Sequence, residues 1–265
     1  MKFVFVGAGR LATQLSQALC AAGHEVTAVY SRTMTSAEGL ASIVGGVATD
    51  SIGSLPLHAD AFIIAVKDAV ITQLLSELIP DRSQEAFFHT AGSIPMSVFA
   101  TAGASRYGVI YPMQTFSKER KPDFHKIPVF VEANNDETLR LAHYIAESVS
   151  DRVTELPSDD RRHLHLAAVF ASNFVNHCYA LSAQILEAHG LTFDTMLPLI
   201  EETAEKVKTM HPLDAQTGPA VRFDEQVIAA QSSLLAEWPM VREVYDLMSK
   251  SIHASKNPQP STPQR

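Results

Sequence analysis

The chain has 265 residues, of which 46% are hydrophobic and 19% are charged, and this composition excludes a disordered or fibrous protein. The net charge is −8, with 12 basic and 16 acidic residues up to residue 156 and 9 and 13 after it, so neither half offers a basic nucleic-acid surface. No apolar run approaches the ~20 residues of a membrane-spanning helix, and Cys20 and Cys178 form no spaced pattern, so we expect a cytoplasmic protein without membrane association, disulfides or a bound metal.

Short β-rich runs alternate with helical stretches over the first 156 residues. The apolar runs predict strands at residues 2–6, 26–30, 61–66, 86–90, 108–111 and 128–132, with a further short strand near Val47. Continuous apolar strands separated by helices are typical of a parallel sheet that is covered on both faces. The sequence therefore predicts an α/β fold class, with a mostly parallel sheet in residues 1–156.

The character of the sequence changes after Pro157. No glycine or proline interrupts residues 158–189, which is long enough for a single helix of roughly 30 residues. Further helices are predicted at residues 192–210, 224–237 and 239–253. We expect an all-helical domain over residues 157–253, followed by a disordered tail at 254–265 that is rich in proline.

A glycine-rich turn directly follows the first predicted strand. Its sequence, Gly7-Ala8-Gly9-Arg10-Leu11-Ala12, has the form G-x-G-x-x-A and opens a helix that leads to a second strand. The first glycine allows a tight turn, and the second lets a pyrophosphate approach the backbone at the helix N-terminus. The pattern predicts a dinucleotide site at Gly7, Ala8, Gly9, Arg10 and Leu11, with an ordinary strand-to-helix turn as the alternative.

The residues at the end of the second strand favour NADP over NAD. An NAD site usually places a carboxylate there for the ribose 2′-hydroxyl, but this chain has Ser31, Arg32 and Thr33. The Arg32 guanidinium can pair with a 2′-phosphate, and the two hydroxyls can donate to it. The alternative is that Arg32 is a solvated loop charge.

Later strand ends should also face the cofactor, because ligands bind at the carboxyl ends of such sheets. We assign Ala65, Val66, Thr90, Ala91 and Gly92 to the cofactor site. Polar groups at the same level, in Ser93, Gln114 and Thr115, are candidates for substrate contacts. For each polar group, helix capping or turn formation is the alternative role.

The first helix of the second half carries a polar stripe on an otherwise apolar surface. At about 100° per residue, four side chains fall within about 40° of one line, namely His165, Ser172, Asn176 and Tyr179. Asn173 lies about 80° to one side. A buried stripe of this kind needs polar partners, and a cleft between two domains would supply them.

Hydride transfer to a carbonyl or imine requires a proton donor, and histidine titrates in the useful range. We therefore identify His165 and Asn173 as catalytic candidates, with Asn173 orienting a substrate oxygen. Ser172, Asn176 and Thr217, the last in a helix-breaking Thr-Gly-Pro turn, are candidates for substrate binding. The alternatives are a solvent-facing histidine, a structural asparagine and a turn that only connects two helices.

Taken in order, these motifs resemble a family of two-domain bacterial proteins that join a Rossmann-like NADP-binding domain to a helical C-terminal domain of unknown function. The resemblance spans roughly residues 2–253 and rests on Gly7–Ala12, Tyr30-Ser-Arg32, His89–Ser93, Tyr111–Ser117, His165–Phe174 and Thr217-Gly-Pro219. It implies a fold similar to pyrroline-5-carboxylate reductase and the β-hydroxyacid dehydrogenases, with a C-terminal domain like that of 6-phosphogluconate dehydrogenase. It also implies a homodimer formed through the helical domain, but it names no substrate.

The chain departs from its better-known relatives at the position of their catalytic residue. The β-hydroxyacid dehydrogenases carry a catalytic lysine on the long helix, whereas no lysine occurs here between Lys126 and Lys206. The Gly-Ser-Gly-Pro run of the pyrroline-5-carboxylate reductases is also missing from that helix. Neither mechanism can therefore be copied onto this chain.

The sequence predicts an NADP-dependent oxidoreductase that moves a hydride between the nicotinamide and a small carbonyl, imine or reduced carrier bound between the domains. One alternative is a non-catalytic NADP(H)-binding protein that senses redox state or assists assembly. A second alternative keeps the enzyme but gives it a deazaflavin or flavin hydride carrier as its partner.

Overall fold

Apolar runs in the first half of the chain form one eight-stranded sheet. The computed structural model describes residues 1–257, and its strands are β1 (Lys2–Val6), β2 (Glu25–Tyr30), β3 (Val47–Thr49), β4 (Ala61–Ile64), β5 (Ala86–His89), β6 (Arg106–Pro112), β7 (Val129–Ala133) and β8 (Val153–Glu155). The spatial order is β3-β2-β1-β4-β5-β6-β7-β8, and the neighbouring strands are parallel except for the antiparallel pair β6 and β7. The first six strands have the Rossmann order, so the predicted fold class is confirmed.

Helices cover both faces of the sheet and bury the alternating side chains of each strand. They are α1 (Arg10–Ala21), α2 (Met34–Val44), α3 (Ile71–Leu78), α4 (Val98–Thr101) and α5 (Asp136–Glu147). On β1, Phe3 and Phe5 belong to the core with α1, α2 and α5, while Val4 and Val6 belong to the core with α3 and α4. Burial of each such side chain contributes ~1.5–3 kcal/mol. This packing on both faces fixes the position of β1 and of the turn that begins at its end.

The second half of the chain is helical, as predicted, but its first helix is not regular throughout. It comprises α6 (Ser158–Ala168), a π-helix over Val169–Phe174 and α7 (Val175–Ala188). The remaining α-helices are α8 (Leu197–Thr209), α9 (Pro212–Ala215), α10 (Pro219–Arg222), α11 (Glu225–Leu234) and α12 (Pro239–Lys256). The predicted uninterrupted α-helix is therefore wrong for the six π-helical residues.

Contacts between Cα atoms divide the chain into two compact units, Met1–Phe174 and the residues from Val175 onward. The predicted division near residue 156 coincides with the change from strands to helices, because β8 ends at Glu155 and α6 begins at Ser158. The first unit nevertheless continues through α6 and the π-helix. Every contact around His165 described below lies inside this first unit.

The last helix of the chain extends beyond its predicted end. Helix α12 continues through Ala254 to Lys256, so the predicted disorder is wrong for these three residues. The rest of the predicted tail, residues 258–265, lies outside the described residues. Among the described helices, none is long and apolar enough to cross a membrane.

Candidate active site

A tight turn connects β1 to α1. Gly7 has a φ of +120°, a conformation that side-chain-bearing residues rarely adopt, and its amide donates to the carbonyl oxygen of Tyr30 at 2.8 Å. A Cβ atom on Gly7 would overlap the carbonyl oxygen of Ala65, which follows β4. The fold itself therefore requires glycine at position 7.

Gly9 is different, because the packing of the protein does not require it. Its φ is −78°, which any residue can adopt, and a Cβ atom there would meet no atom within 4 Å. Gly9 is the N-cap residue of α1, and no side chain caps that helix. The amides of Arg10 and Leu11, in the first turn, lack intrahelical acceptors, and such groups favour a bound phosphate.

The glycine turn lines a cavity of about 440 Å³ at the carboxyl ends of β1, β2 and β4, which we name the glycine-turn cavity. Its wall includes seven of the residues predicted to bind the cofactor, namely Gly7, Ala8, Gly9, Ser31, Arg32, Ala65 and Val66. Sequence reasoning missed the remainder of the wall, formed by Tyr30, Ser36, Ile52, Lys67, Val70, Gln73, Leu74 and Glu77. Several of these residues lie on or next to α3. The apolar pattern of this helix indicated packing against the sheet and gave no indication of a cofactor site.

The polar groups near Arg32 are arranged differently from the prediction. Thr33 is the N-cap residue of α2, and its hydroxyl donates to Ser36 Oγ at 2.9 Å. Ser36 rather than Thr33 reaches the cavity wall beside Ser31 and Arg32. The unfilled space at Gly9, the uncapped helix N-terminus and the Arg32 guanidinium together fit a dinucleotide that carries a 2′-phosphate.

The segment after β5 is held by hydrogen bonds within the protein. The Thr90 hydroxyl donates to the carbonyl oxygen of Ile64 at 3.4 Å, and the Ser93 hydroxyl donates to the Asp68 carboxylate. Ala91 is buried, and its amide donates to Nδ1 of His89 at 3.2 Å. The hydroxyl groups of Thr90 and Ser93 therefore make hydrogen bonds that stabilise a turn. Turn formation was the alternative role that the sequence left open.

His89 is fully buried at the end of β5, and its ring stacks on Phe99 with centroids 5.5 Å apart. Burial lowers the pKa of His89 to about 3, and the positive charge of Arg161 acts in the same direction. His89 is therefore a neutral acceptor for the Ala91 amide at physiological pH, and it contributes to the structure of the turn.

A buried ion pair fixes the start of α6. Arg161 is fully buried and donates to the Glu132 carboxylate on β7 at 2.6 Å and to the carbonyl oxygen of Ile94 at 2.5 Å. The Ser158 hydroxyl also donates to Glu132 at 2.6 Å and accepts a hydrogen bond from the Met96 amide at 3.1 Å. These bonds attach α6 to β7 and to the segment after β5, which sets the position of His165 one helical turn later.

His165 packs between the segment after β5 and the end of β6. A Cβ atom on Gly92 would lie 2.5 Å from both Cγ and Nδ1 of the imidazole, so the glycine allows the close approach of this ring. On the other side, Nδ1 and the Tyr111 hydroxyl are 3.0 Å apart, with the two rings at 78°. Gly92, predicted to bind the cofactor, is therefore a packing partner of His165. Tyr111 was not among the predicted site residues.

A second cavity of about 560 Å³, which we name the His165 cavity, lies between the end of β6 and α6 with its π-helix. It is lined by Tyr111, Met113, Gln114, Thr115, Phe116, Leu164, His165, Ala167, Ala168, Val169, Ala171, Ser172 and Asn173. Five predicted catalytic or substrate residues meet here, namely Gln114, Thr115, His165, Ser172 and Asn173. The other two predicted substrate residues of the helical half, Asn176 and Thr217, belong to the second unit, and their roles remain predictions.

Two family models match separate parts of the chain. Residues 2–88 match the model described as NADP oxidoreductase, coenzyme F420-dependent, and residues 127–252 match a domain of unknown function, DUF2520. No curated protein matches the chain. Among solved structures, a candidate NADP oxidoreductase from Bacteroides fragilis is 45% identical, with a TM-score of 0.92 over 95% of this chain and 97% of its own. The chain belongs to this NADP oxidoreductase family.

More distant structures share the fold of this NADP oxidoreductase family. An imine reductase from Myxococcus stipitatus in complex with NADP⁺ is 18% identical, with a TM-score of 0.67 over 97% of this chain and 95% of its own. A pyrroline carboxylate reductase from Plasmodium falciparum with NADP bound is 15% identical, with a TM-score of 0.60 over 96% and 99%. The predicted family resemblance is thus confirmed, and NADP, the predicted cofactor, is the cofactor named for the family.

Proposed function

We propose that this protein moves a hydride between the nicotinamide of NADP and a small carbonyl or imine compound held in the His165 cavity. One observation carries the proposal. Polar side chains from two distant parts of the sequence, at residues 114–115 and 165–173, line the same cavity, and this cavity has room for a small molecule. The glycine-turn cavity is the proposed cofactor site. The proposed cofactor contacts come from the predicted residues that line this cavity and from Ser36.

Each polar side chain of the His165 cavity has a proposed role. Bound NADPH supplies the hydride. His165 holds the proton that the substrate oxygen or nitrogen gains, and the Asn173 amide hydrogen-bonds that atom to orient it. Gln114, Thr115 and Ser172 offer further donors and acceptors, which select a polar substrate over a hydrocarbon of the same size.

A deazaflavin carrier is the second candidate for the hydride acceptor. The observation in its favour is the family description for residues 2–88, which names coenzyme F420. The match covers every residue that lines the glycine-turn cavity but none of the residues that line the His165 cavity. We therefore place the small carbonyl or imine compound first.

The proposal is tested by NADPH oxidation with a panel of small ketones, aldehydes, cyclic imines and a deazaflavin. With the substrate that responds, we expect His165→Ala to lower kcat by about 10²-fold or more while NADPH affinity is unchanged. The matched control is His163→Ala, because His163 is exposed and its Nδ1 contacts the Asp159 carbonyl oxygen of its own helix. NADPH binding without turnover of any compound would favour a non-catalytic NADP(H)-binding protein.

A further inference from the structure

In the described part of the chain, the Tyr111 hydroxyl has one hydrogen-bond partner, Nδ1 of His165. Tyr111 is almost fully buried at the end of β6, where its ring packs near Phe130 of β7. The two residues are 54 positions apart in sequence, so the contact depends on the docking of α6 against the sheet. Both side chains also line the His165 cavity.

The burial of Tyr111 favours its hydroxyl as the donor in this hydrogen bond. If Nδ1 of His165 carried the proton, the phenolic proton would lack an acceptor among residues 1–257, and a buried donor without an acceptor is unfavourable. If the hydroxyl donates to Nδ1, its proton is satisfied. Nδ1 is then the acceptor, and the proton of the neutral imidazole resides on Nε2.

We propose that Tyr111 is a positioning residue that supplies a proton through His165, a role that rests on the function proposed above. When the substrate is reduced, the Nε2–H bond of His165 breaks as the new O–H or N–H bond of the product forms. In the same step the phenolic O–H bond breaks and its proton passes to Nδ1, so the imidazole stays neutral. After the product leaves, Nε2 takes a proton from water, which leaves as hydroxide, and the Nδ1 proton returns to the Tyr111 phenolate, so that the starting tautomer is restored.

Charged and titratable groups from three elements surround this pair. Burial raises the pKa of Tyr111 above its ordinary value of 10.0, and the positive charge of Arg161 on α6 opposes this effect in part. Glu132 on β7 is bonded to Arg161, and His89 on β5 is neutral. Tyr111 therefore keeps its proton at neutral pH, and the phenolate formed during turnover has a cation to stabilise it.

The pair predicts a distinctive pH dependence. An isolated imidazole acts as a general acid only as imidazolium, which an ordinary histidine loses above about pH 6.5. An imidazole that is resupplied by a phenol can donate until the phenol ionises, and the raised pKa of Tyr111 places that limit above 10.0. We therefore expect kcat to be nearly constant between about pH 6 and pH 9.

The first experiment needs neither cofactor nor substrate. In protein labelled with ¹⁵N-histidine, long-range ¹H–¹⁵N correlation spectra at pH 8 should show His165 as the Nε2–H tautomer, and Tyr111→Phe should change that signal to a mixture of tautomers. Tyr107→Phe is the matched control, because Tyr107 lies on the same strand outside the His165 cavity. A proton on Nδ1 of His165 in the unaltered protein would overturn the proposal, whatever the enzyme activity.

The second experiment uses the compound that is turned over in the NADPH oxidation assay. Tyr111→Phe should lower kcat by about tenfold or more at pH 8.5 but less than about threefold at pH 6, with the melting temperature unchanged. An equal loss at both pH values, or none, would contradict the relay. If no compound is turned over, the proposed function fails. The tautomer measurement still shows which ring nitrogen of His165 carries the proton.

Discussion

Gly7 and Gly9 differ in what the folded protein requires of them. Gly7 has a left-handed backbone, and any side chain would overlap the carbonyl oxygen of Ala65. Gly9 has an ordinary φ and empty space at the Cβ position. The glycine motif predicts both residues, but only the structure separates the one that the fold needs from the one that leaves space for a ligand.

This difference predicts opposite effects for two alanine variants. Gly7→Ala should lower the free energy of unfolding by about 2 kcal/mol or more, because it adds both strain and overlap. Gly9→Ala should leave that free energy within about 0.5 kcal/mol but weaken NADPH binding at least about tenfold, since the methyl group enters the phosphate site. Urea unfolding and calorimetric titration measure the two quantities. A stable Gly9→Ala protein that binds NADPH normally would contradict the assignment.

Arg32 should decide between the two nicotinamide cofactors. A charge-assisted bond to the 2′-phosphate contributes ~1.5–3 kcal/mol, so Arg32→Ala should raise the Kd for NADPH about 10- to 100-fold and change the Kd for NADH less than about threefold. Arg152→Ala, which removes an exposed positive charge elsewhere, is the control. Equal losses for both cofactors would remove the 2′-phosphate assignment.

The glycine turn that lines the glycine-turn cavity could be predicted, because its residues are adjacent in sequence and the proposed phosphate contacts are made by the backbone. Tyr111 could not be identified in the same way, although its position at the end of a strand was visible. Its contact with His165 spans 54 residues and depends on the buried Arg161–Glu132 pair, which no local pattern reveals. Long-range docking of this kind is what the sequence leaves undetermined.

At the scale of elements, the π-helix over Val169–Phe174 changes which side chains share a face. A regular α-helix would place Asn173 about 80° from the line through His165 and Ser172. In the structure, all three side chains line the His165 cavity. A π-helix has more residues per turn, so the α-helical projection no longer holds there, and such segments occur frequently at functional sites.

Burial of His89 at the end of β5 predicts that the folded protein becomes less stable in acid. The pKa of His89 is about 3 in the folded protein, below its ordinary value of 6.5, so the unfolded chain binds more protons between these pH values. The free energy of unfolding should therefore fall as pH decreases below about 6.5, by at most ~1.4 kcal/mol per pH unit from this residue. His89→Asn should reduce that slope in urea unfolding at pH 4 to 7. His189→Asn, at an exposed histidine, should leave the slope unchanged.

At the scale of the whole molecule, the second unit exposes many large apolar side chains. Between Val175 and Asn257, the buried residues are Ser232, Leu235 and Ser249, while Leu234 is 79% exposed and Leu247 is 69% exposed. A helical unit with so little buried apolar surface is expected to be covered by another protein surface. The homodimer that the family resemblance implies would supply it, and we propose that a second copy of this chain covers these helices.

Light scattering coupled to gel filtration tests this proposal. We expect twice the chain mass for the unaltered protein, and a shift toward the single-chain mass for the double variant Leu234→Glu, Leu247→Glu. Leu57→Glu, at an exposed leucine of the first unit, should keep the dimer mass. A single-chain mass for the unaltered protein at micromolar concentration would contradict the proposed dimer.

The central claim, hydride transfer between NADP and a small substrate, is tested most directly with NADPH that carries deuterium at C4 of the nicotinamide. We predict that mass spectrometry finds one deuterium on the carbon next to the product oxygen or nitrogen, with either the pro-R or the pro-S label but not both. Deuterium recovered in a deazaflavin would support the second candidate instead. Oxidation of NADPH without deuterium in any product would contradict the account.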